Sequence, residues 1–366
     1  MKTRFLPKRS SISVYVLSLI SLIFAGWIEF IPSTVSTADA DRKMQASQRT
    51  YDAFNKIREK ILSQNLTIDP QTDSSDTGLI GPDISSVTSS AGKLSSKLAS
   101  IHPDFAAWFM DQFRQAGLEE GDTVAVGMSG SFPALNIALL IAADKMQLNV
   151  ISIASVSSSQ YGANRPEFLW PDMERYLYLE KIILRKSVYM SIGGVSDAGI
   201  GIGKEGKDLI LASIRKNGYT FLSADSFEDS LVKRWNVYQE GRVFLYVNIG
   251  GGTVSSGTSL GKKKIPKGVV LSGGEFSELP DSILKSFLRT KVPVLHVSGI
   301  ESISNQFKMR YSPGRIPLPG SSDLIFQKKR NRWLSGCFWI LLLVLIWKFS
   351  AWITLSDQKE ENTISL

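Results

Sequence analysis

The chain has 366 residues, a formal net charge of +8, 42 basic and 34 acidic side chains, and one cysteine. Eight basic residues stand in two clusters, Lys2, Arg4, Lys8 and Arg9 at the start and Lys328, Lys329, Arg330 and Arg332 near the end; removing them leaves 34 basic residues against 34 acidic ones. The excess charge therefore flanks apolar segments rather than coating a face, which argues against nucleic-acid binding, and a lone Cys337 excludes an internal disulfide.

In chain order, a basic tail (1–11) precedes the uncharged run Ile12–Ile28, which ends at Glu29 and Pro32. Residues 12–31 read as a transmembrane helix or uncleaved signal anchor; the rival is a cleaved signal peptide with Ala38-Asp39-Ala40 as its small-residue site. From 41 to 65, Tyr51, Phe54, Ile57 and Ile61 fall at helical spacing. That pattern suits an amphipathic helix rising from a membrane, and equally an ordinary surface helix of the domain. Residues 66–100, rich in Ser, Thr, Asp and Gly, read as an extended connection.

The segment 101–311 alternates. Pro103 opens a helix with Phe105, Trp108, Phe109 and Phe113 on one face. Apolar strands are expected at 123–127, 149–156, 188–192, 219–223, 243–249, 269–271 and 292–297, with helices at 133–145, 204–216, 227–239 and 280–289. Continuous apolar strands separated by amphipathic helices predict a doubly wound, mostly parallel, Rossmann-like α/β domain. A linker with the second basic cluster (312–332) leads to a second apolar run, 333–353, rich in Trp and carrying only Lys348, then a polar tail (354–366). Two flanking spans predict a two-pass protein of a bacterial cytoplasmic membrane. The two basic clusters give opposite orientations; the first helix usually dominates, which places the domain outside.

In such sheets ligands sit beyond the carboxyl ends of the strands, where four Gly/Ser turns are expected. The first, Gly127-Met128-Ser129-Gly130-Ser131, stands between a strand and a helix start, suited to a phosphate or carboxylate. It departs from a nucleophile elbow at Ser131, where Gly is required, and the chain offers only His102 and His296 as bases. The second includes Gly193, Gly194, Asp197, Gly201 and Gly203. Gly201, Gly203 and Gly206 match a dinucleotide fingerprint with Asp225 following, but the glycines do not follow their strand directly. A phosphate-binding Walker loop is excluded by Ala198 and Glu205. The others are Gly250-Gly251-Gly252-Thr253 and Ser272-Gly273-Gly274-Glu275, either close-approach sites for a ligand or tight turns. The loop 157–172, with Asn164, Arg165, Glu167 and Trp170, reads as a substrate lip or a solvated loop. No zinc-type cluster exists, a carboxylate-held Mg²⁺ stays open, and no cofactor is strongly implied.

Several motifs in this order, GPDIS at 81–85, VAVGMSGSFPALN at 124–136, SSSQYGANRPEFLWPDMERYL at 157–177, GGVSDAGIGIGKEG at 193–206 and VNIGGGTVSSG at 247–257, resemble the bacterial poly-gamma-glutamate system protein family over nearly the whole chain. The resemblance implies a membrane-associated accessory role in making and exporting that polyanion, with the bilayer, other membrane proteins of the system and the polymer as partners. It brings no catalytic residues. The alternative is a hydrolase or transferase acting on the polymer or its precursor, for which Ser129, Asp197 and Glu275 are the candidates.

Overall fold

The computed structural model describes residues 15–16, 18–24, 26–27, 33–250, 252–258, 264–266, 268–270, 278–329, 333 and 335–348. The chain divides into a unit of its two ends, 1–36 with 327–366, and a compact unit, 37–326. In the first, strand β1 (Ser33–Ser36) pairs with the last strand, β11 (Phe326–Lys329).

The expected membrane spans are corrected here: among the described residues no helix is long and apolar enough to cross a membrane. Among the described residues, then, the α/β domain has no flanking helix able to span a membrane, and the expected two-pass placement with the domain outside a bacterial membrane is not supported. The basic tail, Arg330, Arg332 and 349–366 lie outside the described residues.

The second unit is built on a mixed seven-stranded sheet in the order β7-β6-β4-β3-β8-β10-β9. The strands are β3 (Thr123–Ser129), β4 (Asn149–Ser155), β6 (Tyr189–Ser191), β7 (Thr220–Phe221), β8 (Val243–Ile249), β9 (Gly268–Val270) and β10 (Val294–Val297). All pairings are parallel except β9 with β10. Alternation along each strand separates two apolar layers. Val124, Val126, Ala154, Leu245 and Val247 enter one; Ala125, Ile153, Tyr246 and Val294 enter the other. Both faces are covered, which is why the strands read as continuous apolar runs.

Helix α1 (Ala40–Ser63) buries Ala46, Ala53, Phe54, Ile57 and Ile61 against α3 (Phe105–Gln115) and α4 (Pro133–Lys145). It is a helix of the domain. The segment after it is folded too: Leu79, Ile80 and Val87 are buried, and the buried Asp73 carboxylate accepts the N–H groups of Thr77 and Gly78. Strand β2 (Thr88–Ser90) then pairs with β5 (Ser158–Ser159), and α2 (Leu94–Ser100) follows.

Helices α5 (Trp170–Leu179), α6 (Lys204–Lys216) and α7 (Phe227–Tyr238) complete the crossovers as far as β8. Beyond it come α8 (Thr253–Ser256), α9 (Ile283–Arg289) and α10 (Ile300–Gln306). Ser226 caps α7 by accepting the Asp229 N–H at 3.1 Å. Ser226→Ala is expected to cost about 1 kcal/mol, read as a lower urea midpoint with an unchanged slope.

Candidate functional site

The connection leaving β3 turns through α4 to β4, whereas the chain leaving β8, the other neighbour of β3, runs toward β9 and β10. The β3/β8 boundary is therefore the topological switch point, where open α/β sheets hold ligands. A cleft of about 370 Å³ occupies that edge. Its walls carry the hydroxyls of Ser89 and Ser90 from β2, Ser129 at the end of β3, Ser131 from the β3–α4 turn, Ser155 at the end of β4, Ser157 just beyond it, and Thr253 and Thr258 after β8. Gly194, Val195, Gly252 and Gly257 supply backbone. Among the described residues, the lining contains no acidic side chain.

Local hydrogen bonds hold this wall in place. Ser129 Oγ accepts the Ser131 N–H at 3.2 Å, Ser131 Oγ accepts the Ser159 N–H at 3.0 Å, and Thr253 Oγ1 accepts the Ser196 N–H at 2.8 Å. Gly252 is required by close approach: a Cβ there would stand 2.2 Å from the Gly194 carbonyl oxygen. Gly193 adopts φ +88° with its Cα against Ser155 and Ser157, so a side chain would be strained and obstructed. Ser157 is 4% exposed and its Oγ is buried without a partner. Leaving such a hydroxyl unsatisfied costs about 1–3 kcal/mol.

The expected site residues separate. Ser129, Ser131, Gly194 and Gly252 line the cleft. Gly193 stands behind it, and Gly130 sits in the β3–α4 turn, donating its N–H to the Ser155 carbonyl at 2.8 Å. Gly250 lies at the end of β8 against Ser129. Gly127 is inside β3, where a Cβ would meet Tyr246 Oη at 2.5 Å, so its role is packing. Gly203 precedes α6 as its N-cap, and neither it nor Gly201 lines the cleft. The dinucleotide pattern is thus not brought to the switch point. Gly251 and Glu275, with Ser272, Gly273 and Gly274, lie outside the described residues.

Asp197 is committed to an ion pair. Its Oδ2 lies 2.7 Å from Arg234 Nη2, and it accepts the hydroxyls of Ser191 at 2.6 Å and Ser230 at 2.7 Å. Burial alone would raise its carboxyl, but the Arg234 guanidinium and these hydroxyls override that and hold it below the ordinary carboxylate range. Its work is to pin the 193–203 loop to α7. Arg234 Nη2 also reaches Ser155 Oγ at 3.2 Å, tying the pair to the cleft wall.

No histidine serves Ser129. His102 Nε2 meets Ser321 Oγ at 3.0 Å with Asp104 nearby, a grouping that superficially resembles a catalytic triad. However, the Asp104 backbone N–H donates to His102 Nδ1, and the Asp104 carboxylate accepts from Gly320 N, Ser322 N and Ser322 Oγ. Nδ1 is therefore an acceptor and Nε2 the donor toward Ser321, opposite to a general base. His296 is buried in β10 beside Asn248. Among the described residues no group of three His, Cys, Asp or Glu side chains is placed to hold a metal ion.

Of the loop expected as a substrate lip, Ser157 lines the cleft and Glu167 is exposed, while other members pack against the domain. Asn164 donates to the Pro82 carbonyl at 2.9 Å, Arg165 to the Thr67 carbonyl at 2.7 Å, and Trp170 is fully buried at the start of α5. Residues absent from the sequence reading include Ser155, Arg234 and Lys97. Arg234 carried a signal, since Ser230, Arg234, Val237 and Tyr238 recur at the spacing of one buried helix face. Lys97, 3% exposed on α2, carried none.

No protein-family model, curated protein or solved structure matches the chain.

Proposed function

We propose that this chain is a non-catalytic accessory component of poly-gamma-glutamate production or export, acting alongside other proteins of that system, and that its switch-point cleft takes a carboxylate of the polymer. The observation that carries the reading is a cleft lined by hydroxyls and glycine backbone, with no acidic residue among its described lining and with the unpartnered Ser157 Oγ buried in its wall. Helix α4 begins at this wall, and its 13 residues place the positive end of a helix dipole there. Its first turn carries no acidic residue to answer that charge. Hydroxyl donors and a helix dipole together suit an anion, and repeated carboxylates on a flexible polymer suit an open edge better than a closed pocket.

The test is calorimetric titration of the purified chain with an N-acetylated γ-linked glutamate tetramer. Saturable binding is expected, and Ser157→Ala should weaken it roughly tenfold, the loss of one hydrogen bond to a charged group. Heats no larger than dilution for the wild-type chain would refute the proposal. Deletion of the gene in a polymer-producing strain, with polymer amount and length unchanged, would sever it from that system.

A further inference from the structure

Lys97 sits directly behind the cleft wall. Its Nζ donates to the Ser131 carbonyl oxygen and, at 2.9 Å, to Ser159 Oγ, and it lies 3.9 Å from the centroid of the Phe132 ring. Ser131 lines the cleft, and Ser159 is the register partner of Ser90, which lines it too. All three contacts are neutral. Buried lysines ordinarily pair with a carboxylate, because an isolated ammonium is costly to remove from water.

The charged and titratable groups around this helix are engaged elsewhere. Glu301 of α10 accepts the hydroxyls of Ser95 at 2.6 Å and Ser96 at 2.9 Å. Asp83 accepts from Gln160 at 2.6 Å. Arg310 and Tyr311 border the groove beside Ser95, and Lys93, one turn before Lys97, adds a like charge. Burial alone pushes the Lys97 ammonium down to about 7. The turn it clasps, Ser131–Phe132, is also the N-terminal end of α4, which carries positive potential of its own. Two positive features meet there with no anionic side chain between them among the described residues.

Resting on the anion-binding reading of the cleft, we propose that Lys97 is the counter-charge of the bound carboxylate, protonated when the cleft is filled and releasing its proton when the cleft empties. Lys97 acts through Ser131 and Ser159, as a positioning and charge-setting residue. A ligand carboxylate in the cleft favours the ammonium form, so above neutrality binding and proton uptake are one event. The filled cleft then selects a group that is anionic at neutral pH and disfavours neutral amides of the same shape.

The experiment is titration of the full chain with an N-acetylated γ-linked glutamate tetramer at about pH 8, in buffers of different ionisation enthalpy. The expected result is uptake of most of one proton per ligand bound, with affinity falling up to about tenfold per pH unit above 7. Lys97→Met should bind without proton uptake, and at about pH 6 roughly tenfold more weakly than the wild type. Lys97→Arg, which keeps the charge and cannot release the proton, should bind without uptake at every pH, and it serves if the methionine variant does not fold. Wild-type binding without proton uptake would overturn the role of Lys97 and leave the cleft reading intact. Absence of wild-type binding at any pH would overturn both.

Discussion

Replacing Arg234 by methionine is expected to destabilise the chain by about 3–5 kcal/mol, because it strands Asp197 as a buried charge. The two side chains are 1% and 3% exposed, with Arg234 Nη2 at 2.7 Å and Nε at 3.0 Å from Asp197 Oδ2. Arg234 Nη2 also donates to Ser191 Oγ at 2.6 Å, so the pair joins the ends of β4 and β6 to α7 and to the loop that follows Gly193. Asp197 and Ser196 both hold left-handed φ, +58° and +52°, which costs backbone energy that this network offsets. The double variant Arg234→Met with Asp197→Asn should recover much of the loss, since it removes the unpaired charge while keeping an acceptor for Ser191 and Ser230. Urea unfolding of both singles and the double checks this. A single-variant loss below about 1 kcal/mol, or singles that simply add in the double, would show that the pair is not a coupled structural element. Asp197 is held below the ordinary carboxylate range. Its contribution is therefore present above its unfolded-state pKa and lost as pH falls through the folded-state value.

Glu174→Gln is expected to act in the opposite direction, stabilising the chain by up to about 3 kcal/mol at pH 8 and above. Glu174 is fully buried on α5, accepting Ser187 Oγ at 2.9 Å and Ser187 N–H at 3.1 Å. Burial pushes its carboxyl up to about 7, against the lowering effect of the hydrogen bonds from Ser187 and of the Lys186 charge. Between the unfolded value near ~4.5 and the folded value the unfolded chain has lost this proton and the native chain keeps it. Stability therefore falls as pH rises through that window, and below it the glutamate costs nothing. Glutamine keeps an acceptor for Ser187 N–H, offers a donor to Ser187 Oγ, and cannot ionise. Stability curves of wild type and Glu174→Gln should converge near pH 4 and diverge toward pH 8. Parallel curves across that range would mean that Glu174 does not carry the titration.

The expected strands and helices around the sheet were legible because burial on both faces writes itself as unbroken apolar runs. Helices 133–145 and 204–216 and strand 243–249 fall on their expected bounds. Pro133 at the first turn marked the start of α4. Helix α5 was missed because its opening residues, Trp170 and Pro171, sit in a stretch of charge and aromatics that also fits a surface loop. The Asp172 carboxylate accepting the Leu169 N–H at 2.9 Å is the cap that fixes it. The apolar ends misled for a different reason: an apolar run is necessary for a span but not sufficient, and among the described residues no helix is long and apolar enough to cross a membrane.

The cleft was legible only in part. Gly194, Gly252, Ser129 and Ser131 follow strands, as ligand loops in this architecture do. Ser89, Ser90 and Lys97 arrive from a segment whose Ser-rich composition suggested a loose connection. Ser89 and Ser90 reach the cleft, and Lys97 the back of its wall, through the parallel pairing of β2 with β5, a contact between residues about 70 positions apart that no local pattern encodes. Asp197 had the chemistry of a catalytic acid and the surroundings of a structural one; only the position of Arg234 distinguishes them.

The central claim is that the β3/β8 edge of the sheet receives a carboxylate, and a crystal structure of the chain with an N-acetylated γ-linked glutamate tetramer tests it most directly. The account predicts a ligand carboxylate within hydrogen-bond distance of Ser157 Oγ and the first turn of α4, with Lys97 still bonded to the Ser131 carbonyl. A ligand bound away from that edge, or an unoccupied cleft at ligand concentrations that saturate the chain in solution, would contradict it.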